Sequence, residues 1–247
     1  MPTVQELYEL WAGDLELRNE LQRSLDPRGP DWLYDVFAEL GPQPGELLVD
    51  VGARDGKYAA ELARRHGVRT VALDPVPQNA DVQLGTAEEL PFADGSVDWI
   101  WCRDVLVHAD VSRALAEFAR VLRPGGAAVV YVTLPTERLE PREAEELTRS
   151  LALTGVTSSK LEAAAREAGL VERSVEQLGT EWREAMVESE RWDVRGEVLE
   201  LARLTRRRDE LSAEYGEGAV EGEWGGLVWG IYQVLGKLCP TVYIWTR

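Results

Sequence analysis

The chain has 247 residues, 45% of them hydrophobic, with 44 Asp and Glu against 27 Lys and Arg and a formal net charge of −17. That field repels nucleic acid and anionic membrane surfaces and argues against a nonspecific polyanion binder, while the apolar share is enough to bury the core of an α/β domain. Two cysteines, Cys102 and Cys239, make neither a metal cluster nor a disulfide framework.

Residues 3–25 carry Val4, Leu7, Tyr8, Trp11 and Leu15 at three- and four-residue steps, which predicts an amphipathic helix ended by the Pro- and Gly-rich segment 26–30. A second helix is predicted over 31–40, with Trp32, Leu33, Val36, Phe37 and Leu40 on one face. Strands and helices then alternate. The order is strand 46–51, helix 57–66, strand 69–74, a short strand 81–84, strand 97–102, helix 111–122 with Asp110 as its N-cap, and strand 127–134. Asp74-Pro75-Val76-Pro77 forbids an immediate helix, so one crossover helix is missing. Residues 135–150 read as a polar stretch without an element. Ser159-Lys160-Leu161-Glu162 fits a capping box, and the helix it opens stops at Ala168-Gly169. Strand 171–178 follows.

Residues 180–216 keep helical spacing amid dense charge, 216–222 read as a glycine-rich link, 225–238 as a helix and 240–245 as a closing strand. Repeated βα units predict an α/β, Rossmann-like, doubly wound and mainly parallel sheet. The last strand is expected to run antiparallel, with N-terminal helices at one end and a helical cap inserted before that strand. One domain over 1–247 is expected: a lid (1–41), a cofactor-binding core (46–178), a cap (180–238) and the final strand (240–247). No stretch has signal-peptide or membrane-helix length, which predicts a soluble, cytoplasmic protein.

The most informative stretch is Val49-Asp50-Val51-Gly52-Ala53-Arg54-Asp55-Gly56. An apolar strand runs into a tight glycine turn, and a helix starts directly after it. Such a turn lets a ligand lie on bare backbone at the carboxyl edge of a parallel sheet. Asp74 stands 22 residues after Gly52 and closes the apolar run Thr70-Val71-Ala72-Leu73, where a carboxylate can accept both hydroxyls of a ribose. Together these features predict an adenosine-containing cofactor.

Three further pieces join the glycine turn: Val71-Ala72-Leu73-Asp74, the run Gly85-Thr86-Ala87-Glu88-Glu89-Leu90-Pro91-Phe92-Ala93-Asp94-Gly95-Ser96-Val97-Asp98, and Leu122-Arg123-Pro124-Gly125-Gly126. In that order over about residues 46–178 the set resembles the class I S-adenosylmethionine-dependent methyltransferases, most closely the group acting on small molecules. The resemblance implies a cofactor, S-adenosylmethionine, and a role for each matched position. Asp50 would orient its amino group, and Gly52, with Gly56 completing the loop, would let the backbone approach the methionine moiety. Asp74 would hold the ribose and Pro75 would flank the adenine. Thr86 and Ala87 would sit at the adenine edge, and Arg103 near the carboxylate or sulfonium end. Two positions depart from the family pattern. Arg54 replaces a glycine, tolerable with ordinary backbone angles and a guanidinium pointing away from the cofactor or toward its carboxylate. Thr86 replaces an aspartate.

The resemblance also implies transfer of a methyl group to a small-molecule acceptor by in-line displacement, with no metal. His108 and Asp104, after the fourth strand, are the candidate proton acceptor and positioning acid, and Tyr8 and Trp11 are the candidate lid residues for substrate. The expected partner is the small-molecule acceptor, with no nucleic acid and no membrane, and oligomeric state is left open. An RNA or protein methyltransferase, a non-catalytic S-adenosylmethionine-binding protein and a nicotinamide-dependent oxidoreductase are the alternatives.

Overall fold

The computed structural model describes residues 3–13, 15–24, 28–29 and 31–247, without the side chains of 10–13, 15, 16 and 18. Two helices, α1 (Val4–Gly13) and α2 (Leu15–Leu21), stand where the apolar stripe predicts one; Gly13, a weak helix former, ends the first. In α3 (Trp32–Glu39), Leu33 and Phe37 are one helical turn apart and both are buried.

The alternating unit follows as β1 (Leu47–Val51), α4 (Lys57–His66), β2 (Arg69–Asp74), β3 (Val82–Leu84), β4 (Val97–Arg103), α5 (Val111–Val121) and β5 (Leu122–Pro135). As the proline pair requires, no helix stands between β2 and β3. Asp110 caps α5 by accepting the Arg113 N–H. Strand β5 starts five residues earlier than the pattern predicts, because Leu122 already pairs with Val97 and a bulge absorbs the turn that follows.

The stretch read as lacking an element contains α6 (Pro141–Leu151). Pro141 opens it, and the Glu140 and Glu143 side chains cap it reciprocally. Helix α7 (Ser158–Glu167) is capped by the Thr157 hydroxyl on Lys160 N–H rather than by the Ser159 box. After β6 (Val171–Gln177) come α8 (Glu181–Glu188), α9 (Val194–Arg206), α10 (Arg208–Tyr215) and α11 (Glu217–Val234), then β7 (Leu238–Thr246). The expected glycine link is the first part of α11. Its glycines serve close packing further on: a Cβ on Gly225 would stand 2.8 Å from Leu151 Cγ of α6.

Among the described residues the strands form one seven-stranded sheet in the order β3-β2-β1-β4-β5-β7-β6. The first five are mutually parallel, and β7 runs antiparallel between β5 and β6. The strand order reverses between β1 and β4, which opens a crevice at their carboxyl ends. Alternation along β4 sends Ile100 and Cys102 to one face, where α5 and α7 add Leu115, Phe118 and Leu161. Trp99 and Trp101 go to the other, where α3, α4 and α8 add Phe37, Leu62 and Trp182. His66, at the end of α4, is half-buried with its ring 5.3 Å from that of Phe37. Helices α6 and α9 both pack on α11, in a cluster that holds Leu147, Leu201 and Val228. No helix of the described residues is long and apolar enough to cross a membrane.

Candidate functional site

The glycine turn connects the carboxyl end of β1 to α4. Gly52 has φ +75°, and a Cβ there would overlap the Val105 side chain in the segment after β4. The Gly52 and Ala53 N–H groups donate to Leu73 O at 2.8 and 2.9 Å, locking the turn to the end of β2. Gly56, also at positive φ, is the N-cap of α4.

Arg54 departs from its expected geometry. Its backbone is left-handed, with φ +54°, rather than ordinary. A non-glycine residue there costs roughly 1–2 kcal/mol. Two bonds hold it: Arg54 N–H donates to Asp74 Oδ2 at 2.8 Å, and Gln78 N–H donates to Arg54 O at 3.0 Å. The guanidinium turns outward, Nε donating to Gln78 Oε1 at 3.1 Å. Arg54→Gly should therefore stabilise the protein against urea by up to about 1 kcal/mol, the relieved strain less the extra chain entropy of glycine. Lower stability in the variant would mean that the Gln78 contact outweighs the strain.

Asp74 ends β2 half-buried. Oδ2 takes the Arg54 N–H and Oδ1 the Val76 N–H at 2.7 Å, so each oxygen keeps lone-pair capacity for a hydroxyl. Asp50, only 2% exposed, accepts one bond, from Ala59 N–H at 3.1 Å. Burial pushes its carboxyl up to about 7, against the lowering effects of that bond and of Arg103. Pro75 and Thr86 are exposed, Thr86 bridging to Glu89, and Ala87 is buried in the core.

Arg103 closes β4. Its guanidinium carbon lies 4.2 Å from the centre of the Tyr58 ring and 4.9 Å from that of Tyr131, and its Nε is buried without a hydrogen-bond partner. The sheet thus brings the glycine turn, Asp50, Asp74 and Arg103 to one edge. Two carboxylates and a guanidinium with bonding capacity left over suit a ligand with an ammonium, a carboxylate and a diol.

Asp104 has φ +51°, and both its oxygens are engaged by Thr133, with N–H at 2.7 Å and Oγ1 at 3.1 Å. Burial raises its pKa against those bonds. His108 is exposed in the turn that follows. Tyr8 is 64% exposed on α1, and the Trp11 side chain lies outside the described residues. Of the cap tryptophans, Trp182 is buried against the sheet, and Trp192, Trp224 and Trp229 are half-buried. Beside Thr133 and Val107 lies an apolar cavity of about 160 Å³, walled by Leu139, Leu147, Leu153 and Trp229. Among the described residues no three His, Cys, Asp or Glu side chains are grouped to hold a metal ion. Sequence reasoning missed Tyr58, Tyr131 and Arg183 of α8, whose Nε donates to the buried Gln233 Oε1 at 2.6 Å.

Residues 49–130, from β1 into β5, match the family described as "Methyltransferase domain". An uncharacterized methyltransferase of Mycobacterium tuberculosis is 37% identical over 126 residues, 47% of this chain and 49% of that protein. A glycine/sarcosine/dimethylglycine N-methyltransferase of Actinopolyspora halophila is 24% identical across 91% of this chain and 44% of its own length. The chain thus spans about half the length of these curated relatives. Among solved structures, a putative sarcosine dimethylglycine methyltransferase from Galdieria sulphuraria superposes with a TM-score of 0.65 at 21% identity, over 88% of this chain and 83% of that one. A Haemonchus contortus phosphoethanolamine N-methyltransferase 2, solved with S-adenosyl-L-methionine, gives 0.64 at 17%, over 88% and 52%. These likenesses are likenesses of fold. Residues 49–130 are thus a methyltransferase domain by sequence, set in a fold that the chain shares with methyltransferases of known structure.

Proposed function

We propose that the protein transfers the methyl group of S-adenosylmethionine to a small-molecule acceptor. The observation that carries this reading is the pairing of Asp74 at the end of β2 with the Asp50–Arg103 pair at the ends of β1 and β4. Asp74 has acceptor capacity for a ribose diol. Asp50, with one hydrogen bond, suits the ammonium of an amino-acid tail, and Arg103, with a buried unpartnered Nε, suits its carboxylate.

The bound cofactor supplies a sulfonium whose methyl is already activated. Held by Asp50, Asp74 and Arg103, it would give that methyl to the acceptor's lone pair and keep the S–CH3 bonding pair on sulfur, leaving as a neutral thioether. The chain's residues align and shield this in-line displacement rather than activate it. His108, on the exposed turn after β4, takes the acceptor's proton where there is one. Asp104, held by Thr133, fixes the β4–β5 edge. Thr86 receives the adenine edge through its hydroxyl, and Tyr8 and Trp11 belong to the lid that selects the acceptor. The net charge of −17 favours a small molecule over RNA. Two free thiols suit a reducing cytoplasmic setting.

The test is calorimetry of the purified chain with S-adenosylmethionine and, separately, NAD, followed by a turnover assay for S-adenosylhomocysteine over a panel of small amines, alcohols and carboxylic acids. Binding of the first ligand alone, with thioether released in the presence of an acceptor, is the expected result. Binding of NAD instead would sink the reading. Cofactor binding with no product on any acceptor would favour a sensor.

A further inference from the structure

Beyond Thr133 the edge of the sheet opens into the apolar cavity of about 160 Å³. Val107, Leu147, Val156 and Leu238 form its floor, and all four are buried. Pro135, Thr148 and Gly155 on its rim are exposed, so a ligand can enter from solvent. Charged residues make up 29% of the chain, yet none of the described residues lining this space is charged, which excludes an ionic guest at its floor. Polar atoms of the wall are already engaged. Thr133 donates its N–H and Oγ1–H to Asp104. The Val107 carbonyl accepts from Thr154 N–H and Oγ1 at 2.9 and 3.1 Å, and the Gly155 carbonyl accepts from Lys160 Nζ at 2.8 Å. A water in an interior cavity needs two to four polar partners, so the space favours hydrocarbon over water.

The cavity lies next to the crevice assigned above to the cofactor. Along this edge the strands run β1, β4, β5, β7. Thr133 and Pro135 stand at the end of β5, and Leu238, paired with Pro135, begins β7. Adjacent strands are about 4.8 Å apart, so the floor begins roughly 5–10 Å from the end of β4. The segment after β4 divides the two spaces: Val105 lies against Gly52 on one side, and Val107 lines the cavity on the other. Two residues of chain span no more than about 7.6 Å between their Cα atoms. One small molecule can therefore reach from the cavity to the cofactor's edge.

We propose that this cavity holds the apolar part of the methyl acceptor, a six-membered ring or a branched hydrocarbon of similar bulk. An apolar interior space of roughly 150 Å³ takes up benzene, and here Trp229 adds an aromatic wall. This rests on the methyltransferase reading and narrows its acceptors to molecules with an apolar body beside the reacting atom. It also gives α6 and α11 a part in choosing the substrate, because Ala144 and Leu147 of one and Trp229 of the other shape the space.

The ring alone is tested with fluorobenzene, titrated into the full chain saturated with S-adenosylhomocysteine and followed by fluorine NMR. Two variants fill the space from different sides, Ala144→Leu from α6 and Leu153→Phe from the segment after it. Fluorobenzene should saturate in the millimolar range or tighter. Both variants should weaken it at least fivefold and change S-adenosylhomocysteine affinity less than twofold. Release of S-adenosylhomocysteine is then compared within three acceptor pairs: benzylamine and methylamine, benzyl alcohol and methanol, phenylacetate and acetate. In each pair that reacts, the ring-bearing member should have a kcat/KM about tenfold higher or more, and Ala144→Leu should erase the difference. No fluorobenzene binding, equal binding by wild type and both variants, or a ring-lacking member that reacts as well as its partner overturns the subsite. Higher unfolding temperatures in both variants with acceptor preference unchanged would mark the space as a packing void and overturn it too. Failure of the wild-type chain to bind S-adenosylhomocysteine at all would instead sink the methyltransferase reading beneath it.

Discussion

Asp74→Ala should lower the affinity for S-adenosylmethionine tenfold to hundredfold. One hydrogen bond to a charged group is worth roughly 1.5–3 kcal/mol, and the proposed ribose contact uses that charge. A second loss adds to it. The same carboxylate receives the Arg54 N–H and the Val76 N–H, so it also ties the glycine turn to the loop after β2. Alanine releases both ties, whereas Asp74→Asn keeps one oxygen and turns the other into a donor. The two variants therefore separate the direct contact from the shaping of the turn. Both should lose affinity by calorimetry, and alanine should also lower the unfolding temperature. Wild-type affinity in Asp74→Ala would remove the ribose assignment and, with it, the strongest link between this edge and a nucleoside.

The parts of this site that are legible from the chain alone are those fixed by local backbone demands. Gly52 and Asp74 announce themselves because a strand, a positive-φ turn and a strand-ending acid leave their marks within a few residues. The missing crossover helix is legible because the two prolines after Asp74 act on their own neighbours. Other parts depend on partners distant in sequence. Helix α6 buries Leu147 alone among its residues, and its apolar partners come from α11. Its polar surface therefore masks it, although Pro141 and the Glu140–Glu143 box were available as a start signal. The glycines of α11 look like breakers until Leu151 is seen to occupy the space a side chain at Gly225 would need. Tyr131 reads as one more apolar strand residue. Its surroundings become visible only in the fold, where the Arg103 guanidinium carbon lies 4.9 Å from its ring centre and it shares a core cluster with Trp182 of α8. Arg54 is the instructive departure: the residue type suggests ordinary angles, but the bonds to Asp74 and Gln78 enforce the left-handed one.

Cofactor affinity should rise as pH rises toward about 7 and level off above it, and Asp50→Asn should abolish that dependence. The cause is the buried carboxyl, whose pKa of about 7 makes it largely protonated in the free protein at mildly acid pH. An ammonium placed against Asp50 favours the carboxylate, so binding at low pH must first release a proton. Affinity is expected to change close to tenfold per pH unit between 5.5 and 6.5 and little between 7.5 and 8.5. Calorimetry in two buffers of different ionisation enthalpy would count the proton directly. Stability carries the opposite signature. Between the ordinary carboxylate value of 3.8 and about 7 the folded state holds a proton that the unfolded state has lost, so this group's contribution to stability falls as pH rises through that window. Asp50→Asn should therefore unfold at a higher temperature than wild type at pH 8 and lose most of that advantage by pH 5, while binding S-adenosylmethionine at least tenfold more weakly at pH 8. Arg103 on β4, Asp55 in the turn and Asp74 at the end of β2 also act on this carboxyl, and all three remain in the variant, so the difference between the two proteins isolates Asp50 itself. An affinity that stays flat from pH 5.5 to 8 in the wild type would show that the amino group of the cofactor does not meet this residue. A variant less stable than wild type at pH 8 would show that the Ala59 bond outweighs the cost of the buried charge.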